Sequence, residues 1–313
     1  MKFQAPLRIG TRKSALAMIQ TEMVVAALKA AHSELCSDGA IEIVGLETYG
    51  DKTQKDNLSL VEHGGKALWA SEHEQAMRDG IIDCAVHSTK DIPGILDDDM
   101  VMPCFLPRAD ARDVFLSSTV GHFTALPEGA TIGTSSPRRA AIVLAKRPDL
   151  NIVTFRGNIG TRLKKIAHAE VDGTFLAAAG MIRGGYKDMM QTILEPSEML
   201  PAVGQGAIGI EFKKDRDDLH DLFSEIHDLQ TGICVKAERA WLAGMGGSCR
   251  SPLAAYAELN GDQLRLRAFA SDFEGTDVKT CDITASVQDE IQAQKMGADL
   301  AAEMLKGLPK GFV

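Results

Sequence analysis

The sequence predicts an α/β protein made of two α/β units and a smaller C-terminal α+β region. The chain has 313 residues, which is enough for two or three domains that each bury a core. Strand-like and helix-like segments alternate through the first two thirds, as in parallel sheets covered by helices. From about residue 231 this alternation ends, and a helix, a glycine-rich turn and paired strands follow.

The first unit is predicted to contain three strands and one long helix. The strands are expected at 7–10, 41–48 and 81–88, and the helix at about 14–30. The helix follows from apolar residues that recur at spacings of three and four. The third strand is almost continuously apolar, which suits the middle of a sheet. The polar, glycine-bearing residues 50–66 predict a mobile loop.

The second unit is predicted over about 107–201, and the C-terminal region follows it. Strands are expected at 131–133, 151–155 and 174–177, each followed by a helical pattern. The C-terminal region is expected to hold helices at 231–242 and about 288–306 and strands at 253–259 and 263–270. Asn260-Gly261 between these two strands is a strong hairpin signal.

The charge of the chain is unevenly distributed. It has 34 Lys and Arg against 43 Asp and Glu, a net charge of −9. Residues 131–190 nevertheless contain ten basic and four acidic residues, a local charge of +6 within a remainder of −15. General nucleic-acid binding is not expected, because the acidic remainder would repel a phosphate backbone. The basic segment is either a site for a small polyanion or a solvated face.

Cysteine usage and hydropathy indicate a cytoplasmic protein. The six cysteines include no Cys-x-x-Cys pair, so we expect neither a zinc site nor a disulfide framework. The first residues have no signal-peptide or transit-peptide pattern. No apolar run approaches the roughly 18 residues that a membrane span needs. We therefore expect no metal and no membrane association.

The tripeptide Ile-Gly-Thr occurs three times, each time near a predicted helix start and followed closely by arginine. A helix N-terminus offers free backbone N–H groups and a partial positive charge, so these sites suit carboxylates or phosphates. The middle copy is the most complete: Ser135 or Ser136 can cap the helix, Pro137 suits its first position, and Arg138 and Arg139 follow. The alternative is ordinary capping with solvated arginines. Three copies together favour an anion site.

Two nucleotide-binding patterns fail on closer inspection. Residues 45–53 resemble a P-loop, but Asp51 displaces the lysine and adds a negative charge where phosphates would bind. Residues 204–209 match Gly-x-Gly-x-x-Gly but lead into a strand-like segment and not a helix. The second pattern is therefore interpreted as a chain crossing between domains.

Two further segments carry chemically useful groups. Lys90 and Asp91 follow the apolar strand 81–88, at the end of a strand where open α/β sheets place ligands. A carboxylate there could stabilise a developing positive charge on a substrate nitrogen or transfer a proton, or it could simply belong to a salt-bridged loop. Cys249 lies on a turn of small residues beside Arg250, which suits a reactive thiolate, although most single cysteines only pack.

These segments, taken together, resemble the porphobilinogen deaminase family from Arg8 to about Lys306. The resemblance is carried by nine segments in the family's order: RIGTRKSALAMIQ, GGKALW, DCAVHSTKDIP, IGTSSPRR, FRGNIGTRLKKI, LAAAGMIR, LPAVGQGAIGIE, AERAWL and GGSCRSP. The chain is therefore identified as similar to enzymes that condense four porphobilinogen molecules head to tail into hydroxymethylbilane, with release of ammonia at each addition.

The resemblance implies a cofactor and a set of site residues. Cys249 is expected to carry a dipyrromethane through a thioether, and Asp91 to be the catalytic carboxylate. The arginines implied to bind acetate and propionate groups are Arg12, Arg138, Arg139, Arg156, Arg162 and Arg183. Further binding positions so implied are Ser14, Lys90 and Ser136. No metal is implied.

The resemblance also implies an architecture. It predicts two α/β domains of the periplasmic-binding-protein type, at 1–106 with 207–226 and at 107–206, and an α+β domain at 227–313. A monomer is expected, with porphobilinogen as its small-molecule partner. The alternative from another class is a non-catalytic two-lobed anion-binding or solute-binding protein. A phosphate-handling transferase is the third possibility.

Overall fold

The computed structural model describes residues 6–47, 71–248 and 250–308. The chain forms two compact units, one of residues 1–108 with 207–232 and one of residues 109–206 with 233–313. The predicted loop at 50–66 and Cys249 lie outside the described residues. The division into three domains remains a prediction.

Strands and helices alternate in the described parts of residues 7–88 and over residues 131–183, as the sequence predicts, but between residues 84 and 133 four strands follow one another without an α-helix. The strands of the described residues are β1 (Leu7–Arg12), β2 (Ile41–Leu46), β3 (Cys84–Ser88), β4 (Met100–Phe105), β5 (Asp113–Leu116), β6 (Thr131–Gly133), β7 (Asn151–Val153), β8 (Gly173–Ala177), β9 (Thr192–Leu194), β10 (Ile208–Lys213), β11 (Leu253–Asn260), β12 (Gln263–Ser271) and β13 (Val278–Ser286). The helices are α1 (Ala15–Ala31), α2 (Ser71–Arg78), α3 (Pro137–Lys146), α4 (Ile159–Ala167), α5 (Ala178–Arg183), α6 (Asp217–Ser224), α7 (Leu229–Gly244) and α8 (Glu290–Leu305).

The first unit contains a five-stranded mixed sheet in the order β2-β1-β3-β10-β4. Strand β1 is parallel to β2 and β3, whereas β10 is antiparallel to β3 and β4. Strand β10 comes after the sheet strands of the second unit in the chain, and it completes the sheet of the first unit, as predicted. Its neighbour β4 contains Pro103, which an edge strand accommodates because one side of its backbone needs no ladder partner.

Strand β3 is shorter than the sequence predicts. It begins at Cys84 and not at Ile81, because the backbone N–H groups of Ile81 and Ile82 both donate to the carbonyl of Ala76 and close the end of α2. Ile81 is therefore exposed at the helix end, while Ile82 packs into the core. A continuous apolar run does not distinguish a strand from the turn that leads into it.

The second unit contains another five-stranded mixed sheet, in the order β7-β6-β8-β5-β9. Strand β6 is parallel to β7 and β8, and β5 is antiparallel to β8 and β9. The sheet packs on a core in which Phe123 meets Phe115 and Phe175 edge to face. Because β6, β7 and β8 are parallel, their carboxyl ends lie at one edge of this sheet.

The C-terminal region of the second unit is an antiparallel sheet, β11-β12-β13, with α7 and α8. The predicted hairpin is present, but its two-residue turn is Gly261-Asp262, since Asn260 pairs with Gln263 and Gly261 has a φ of 62°. Helices α7 and α8 approach closely at Gly297, where a Cβ would lie 2.0 Å from the carbonyl oxygen of Ala237. The predicted fold class, two α/β sheets and a smaller α+β region, is confirmed.

Within the ranges that the structure describes, no helix is both long enough and apolar enough to cross a membrane. The longest, α1, has 17 residues.

Candidate active site

Four predicted site residues lie at one edge of the first sheet. Arg12 ends β1, Ser14 caps α1, and Lys90 and Asp91 follow β3. Because β1 and β3 are adjacent and parallel, their carboxyl ends meet at the same sheet edge. The Oγ of Ser14 accepts a hydrogen bond from the backbone N–H of Ala17 at 3.3 Å, so this serine orients the helix start. The structure therefore brings these residues to the position where open sheets bind ligands.

Asp91 lies in a short 3₁₀ turn, Thr89–Asp91, directly after β3. The turn is held by the N–H of Thr89, which donates to the carbonyl of Ala207 at 3.1 Å, and by the N–H of Ile92, which donates to the carbonyl of Thr89. The Asp91 side chain is half-buried, and its carboxylate has neither a hydrogen bond nor an ion pair with any described residue. This carboxylate is therefore available to a positively charged group of a ligand.

The other predicted residues lie at the corresponding edge of the second sheet. Ser136, Arg138 and Arg139 follow β6, Arg156 and Arg162 follow β7, and Arg183 ends the helix after β8. The Oγ of Ser136 accepts from the N–H of Arg139, and Pro137 occupies the first helical turn, so the predicted helix start is confirmed. Three adjacent parallel strands thus deliver five arginines to one edge.

Arg138 and Arg139 form a buried triad with Asp113. Arg138 Nη1 lies 2.8 Å from one carboxylate oxygen of Asp113, and Arg139 Nη2 lies 2.6 Å from the other. Gln205 also donates to this carboxylate, at 3.0 Å. Burial alone would oppose ionisation of Asp113, but the charges of the two arginines prevail and hold its pKa below the usual range. The triad keeps one net positive charge inside the protein.

The sequence did not indicate that Asp113 pairs with these arginines. It lies 25 residues before Arg138 and begins the apolar strand β5, where it is fully buried. A charged residue at the start of an otherwise apolar buried strand is the one signal that could have suggested an internal partner. Arg138 and Arg139 are thus placed as predicted, but their charges already meet a carboxylate of the protein itself.

Arg162 and Arg183 differ from this pair because no carboxylate of the described residues forms an ion pair with them. Arg162 Nε donates to the carbonyl of Gly157 at 2.9 Å, and Arg183 Nη2 donates to the carbonyl of Gly206 at 2.8 Å. Burial lowers the pKa of both guanidinium groups, and the nearby charge of Arg139 contributes to lowering that of Arg162 to about 10. Burial destabilises the charged form of these groups, so an anion that binds beside them stabilises that form.

The arginine edge of the second sheet fits a ligand with several carboxylates. The Nε groups of Arg139 and Arg183 are shielded from solvent and have no hydrogen-bond partner in the described part of the chain. Planar guanidinium groups pair with carboxylates through two parallel hydrogen bonds, so unused N–H groups suit this ligand class. A dipyrromethane that carries acetate and propionate groups meets this requirement.

The turn that contains Cys249 is described only on either side of it, because Cys249 itself lies outside the described residues. Before it, the N–H of Ser248 donates to Ser251 Oγ at 3.3 Å, and after it, the N–H of Arg250 donates to Ser248 Oγ at 3.2 Å. The flanking turn between α7 and β11 is thus tied by serine hydroxyls. None of the five described cysteines forms a disulfide with another described residue.

Comparison with known proteins decides the family. Residues 7–221 match the model "Porphobilinogen deaminase, dipyromethane cofactor binding domain", and residues 232–306 match "Porphobilinogen deaminase, C-terminal domain". The chain belongs to the porphobilinogen deaminase family. Porphobilinogen deaminase from Paracoccus denitrificans is 44% identical over 99% of this chain and 96% of its own length. The enzyme from Nitrobacter winogradskyi is 43% identical over 95% and 92%, respectively.

Solved structures with a lower similarity include a periplasmic substrate-binding protein of an ABC transporter from Coxiella burnetii. It is 15% identical, with a TM-score of 0.43, and the match covers 71% of this chain and 92% of that chain.

Membership of the porphobilinogen deaminase family makes the protein a transferase, a hydroxymethylbilane synthase of tetrapyrrole biosynthesis. The greater part of the chain is the family's dipyrromethane-binding domain, so the predicted cofactor is confirmed. The non-catalytic binding protein considered from the sequence is not favoured, because both matched models are those of an enzyme.

Proposed function

We propose that this porphobilinogen deaminase condenses porphobilinogen with Asp91 as its catalytic carboxylate, Cys249 as its cofactor attachment point and the arginines of the second sheet as carboxylate ligands. Each addition forms a carbon–carbon bond between two pyrrole units and releases one ammonia. When bound, a dipyrromethane supplies the anchored pyrrole end to which the substrate units are added. The remaining chemistry is assigned to side chains of the chain itself.

Asp91 is proposed to stabilise positive charge on the substrate pyrrole as its amino group leaves. Its carboxylate is half-buried and unpaired among the described residues, so bulk water screens it only partly. A fixed negative charge beside a developing cation lowers the barrier without reorganisation at the moment of reaction. Lys90, Arg12 and Ser14 at the same sheet edge are proposed as further binding groups.

The arginines are proposed to bind the acetate and propionate groups of substrate and cofactor. The observation that carries this proposal is the pair Arg162 and Arg183, which are partly buried without a carboxylate of the described residues. Arg156 and Ser136 are assigned to the same role. Arg138 and Arg139, already paired with Asp113, are proposed to act through their remaining N–H groups and the net positive charge of the triad.

Replacement of Cys249 by serine is expected to abolish covalent attachment of the cofactor. A serine hydroxyl is a far weaker nucleophile than a thiolate at neutral pH, so the thioether cannot form. Intact-protein mass spectrometry of the native chain should give the polypeptide mass plus two pyrrole units, and further pyrrole units after addition of porphobilinogen. The serine variant should give the bare polypeptide mass.

The control for this experiment is Cys36→Ser, because Cys36 is an exposed, free cysteine in the other unit. It should keep the extra mass and the additions. Native protein at the bare polypeptide mass, with no response to porphobilinogen, would refute the proposed function. Extra mass that survives in Cys249→Ser would refute only the attachment site.

Replacement of Arg162 by methionine is expected to weaken substrate binding with little effect on stability. One charge-assisted contact to a carboxylate contributes about 1.5 to 3 kcal/mol, which corresponds to a KM about 10- to 150-fold higher. Methionine retains the apolar packing and removes a charge that burial already disfavours, so the free energy of unfolding should change by less than about 1 kcal/mol. Steady-state kinetics and urea unfolding measure the two effects.

Arg265→Met is the matched control. Arg265 is exposed on the C-terminal sheet and pairs with Asp282 at 2.6 Å, far along the chain from the arginine edge. The KM of the Arg265→Met variant for porphobilinogen should equal that of the native chain. An Arg162→Met variant with the same KM would exclude Arg162 from carboxylate binding.

We also propose that the protein acts as a cytoplasmic monomer that binds no nucleic acid and no membrane. The support is the sequence, which has a net charge of −9 and six cysteines without a Cys-x-x-Cys pair. Light scattering coupled to size-exclusion chromatography should give the mass of one chain, 33.6 kDa. A mass twice as large would refute the monomer.

A further inference from the structure

A cluster of four titratable side chains lies in the core of the first unit. It consists of His73 and Glu74 on α2, His87 on β3 and Glu211 on β10, here called the His–Glu cluster. Their exposed fractions are 0%, 4%, 5% and 0%, respectively. His87 Nε2 lies 2.9 Å from Glu211 Oε2, and the rings of His73 and His87 meet edge to face at 5.2 Å. None of the roles assigned above uses these groups.

The strand register explains how His87 and Glu211 meet. His87 lies opposite Gly209 in the β3–β10 ladder, and Glu211 is two residues further along β10, on the same face of the sheet. The imidazole therefore reaches diagonally across to the carboxylate. Helix α2 covers this face: a Cβ on Gly10 of β1 would lie 3.4 Å from His73 Cδ2.

Burying this cluster in the core costs free energy of folding. Burying charged groups requires desolvation that well-packed apolar side chains of similar volume avoid, so stability alone does not account for it. Burial raises the pKa of Glu74 to about 7, and the charges of Glu211 and Asp97 contribute, opposed by Arg78. The four side chains are not arranged as a metal site, and no such group occurs among the residues described. Buried polar pairs of this kind fix one arrangement of the elements that they join.

The elements joined here carry the proposed catalytic carboxylate. His87 is four residues before Asp91, and the His87–Glu211 contact links β3 to β10 within the ladder that ends at Ser88, directly before the turn Thr89–Asp91. The same two segments are linked again where the N–H of Thr89 donates to the carbonyl of Ala207. A Cβ on Gly209 would lie 3.0 Å from Thr89 Oγ1, so the buried Thr89 side chain packs directly on β10. Any shift of β3 against β10 would therefore displace the turn.

We propose that His87 and Glu211 are positioning residues for Asp91: their buried contact fixes β3 against β10 and so sets the place of the turn that holds this carboxylate. His73 and Glu74 complete the polar environment from the α2 side. The proposal rests on the proposed function for its kinetic consequence, but its structural consequence can be measured without turnover.

The test compares three variants of the full-length protein. His87→Leu removes the Nε2 contact with Glu211, and His87→Gln provides an amide N–H that can reach this carboxylate. His32→Leu is the matched control, because His32 is equally buried in the same unit and its Nε2 bonds the carbonyl of Leu222 at 3.0 Å, outside the cluster. For each variant we would measure kcat and KM for porphobilinogen, the melting temperature, and amide hydrogen exchange of the peptide spanning 86–94.

We expect kcat of His87→Leu to fall about 10- to 100-fold with KM within twofold of the native value, since a small misplacement of a catalytic group costs this much. His87→Gln should recover most of kcat. Exchange at 89–92 should become faster in His87→Leu and stay unchanged in His32→Leu. His32→Leu should lower the melting temperature without changing kcat.

Native kcat and exchange in a destabilised His87→Leu would overturn the proposal, because the cluster would then be only structural. If the native chain itself does not release ammonia from porphobilinogen, the proposed function fails, and the exchange comparison alone decides the positioning role. Unchanged exchange at 89–92 would then refute it.

Discussion

Replacement of Asp91 by asparagine is expected to lower kcat about 1,000-fold while the protein stays folded. The amide keeps the size of the side chain but removes the negative charge, and the loss of one such preorganised group typically costs 10²- to 10³-fold. Because Asp91 is only half-buried and has no partner among the described residues, its neutralisation leaves no buried charge unpaired. Release of ammonia and formation of hydroxymethylbilane, followed under saturating porphobilinogen, measure the effect.

Asp79→Asn is the control for this prediction, because Asp79 is exposed in the same unit and its carboxylate accepts a hydrogen bond from the nearby Gln75. It should turn over porphobilinogen at the native rate. The melting temperatures of both variants should lie close to that of the native chain. Normal turnover by Asp91→Asn would remove Asp91 from the mechanism, whatever the role of Cys249.

The sequence predicts the site best where the relevant residues follow a strand in a parallel pair. Lys90 and Asp91 after β3, and Arg138 and Arg139 after β6, are placed by local patterns: an apolar run, a capping serine and a proline at the first helical turn. These patterns depend on neighbours in the chain, so a single sequence contains them.

Contacts between distant parts of the chain could not be predicted in this way. Asp113 meets Arg138 only because β5 and β8 are paired next to β6, and His87 meets Glu211 only because β10 returns to β3 from 120 residues later in the chain. Strand β13 was also missed. Polar residues occupy most of its positions and its side chains are largely exposed. The apolar alternation is short, limited to Cys281, Ile283 and Ala285, and only the first two pack on the core.

Replacement of Asp113 by asparagine is expected to lower the free energy of unfolding by about 3 to 5 kcal/mol. Removal of one partner leaves Arg138 and Arg139 as buried charges without their carboxylate, which is the most destabilising way to break a buried ion pair. The pKa of Asp113 is lowered in the folded state, so its contribution is present at neutral pH and lost only as the pH falls through that lowered pKa. The variant should therefore lose stability most at neutral pH and least in strong acid.

Urea unfolding of the native chain, Asp113→Asn and a triple variant, Asp113→Leu with Arg138→Met and Arg139→Met, separates the cost of the unpaired charges from the loss of packing. Apolar replacement of a whole buried ion triad is often neutral or stabilising, so the triple variant should regain most of the lost stability. It should nevertheless bind porphobilinogen poorly, because it lacks the N–H groups and the net positive charge that the triad places at the arginine edge. A triple variant that regained both stability and native KM would mean that Arg138 and Arg139 serve the core alone.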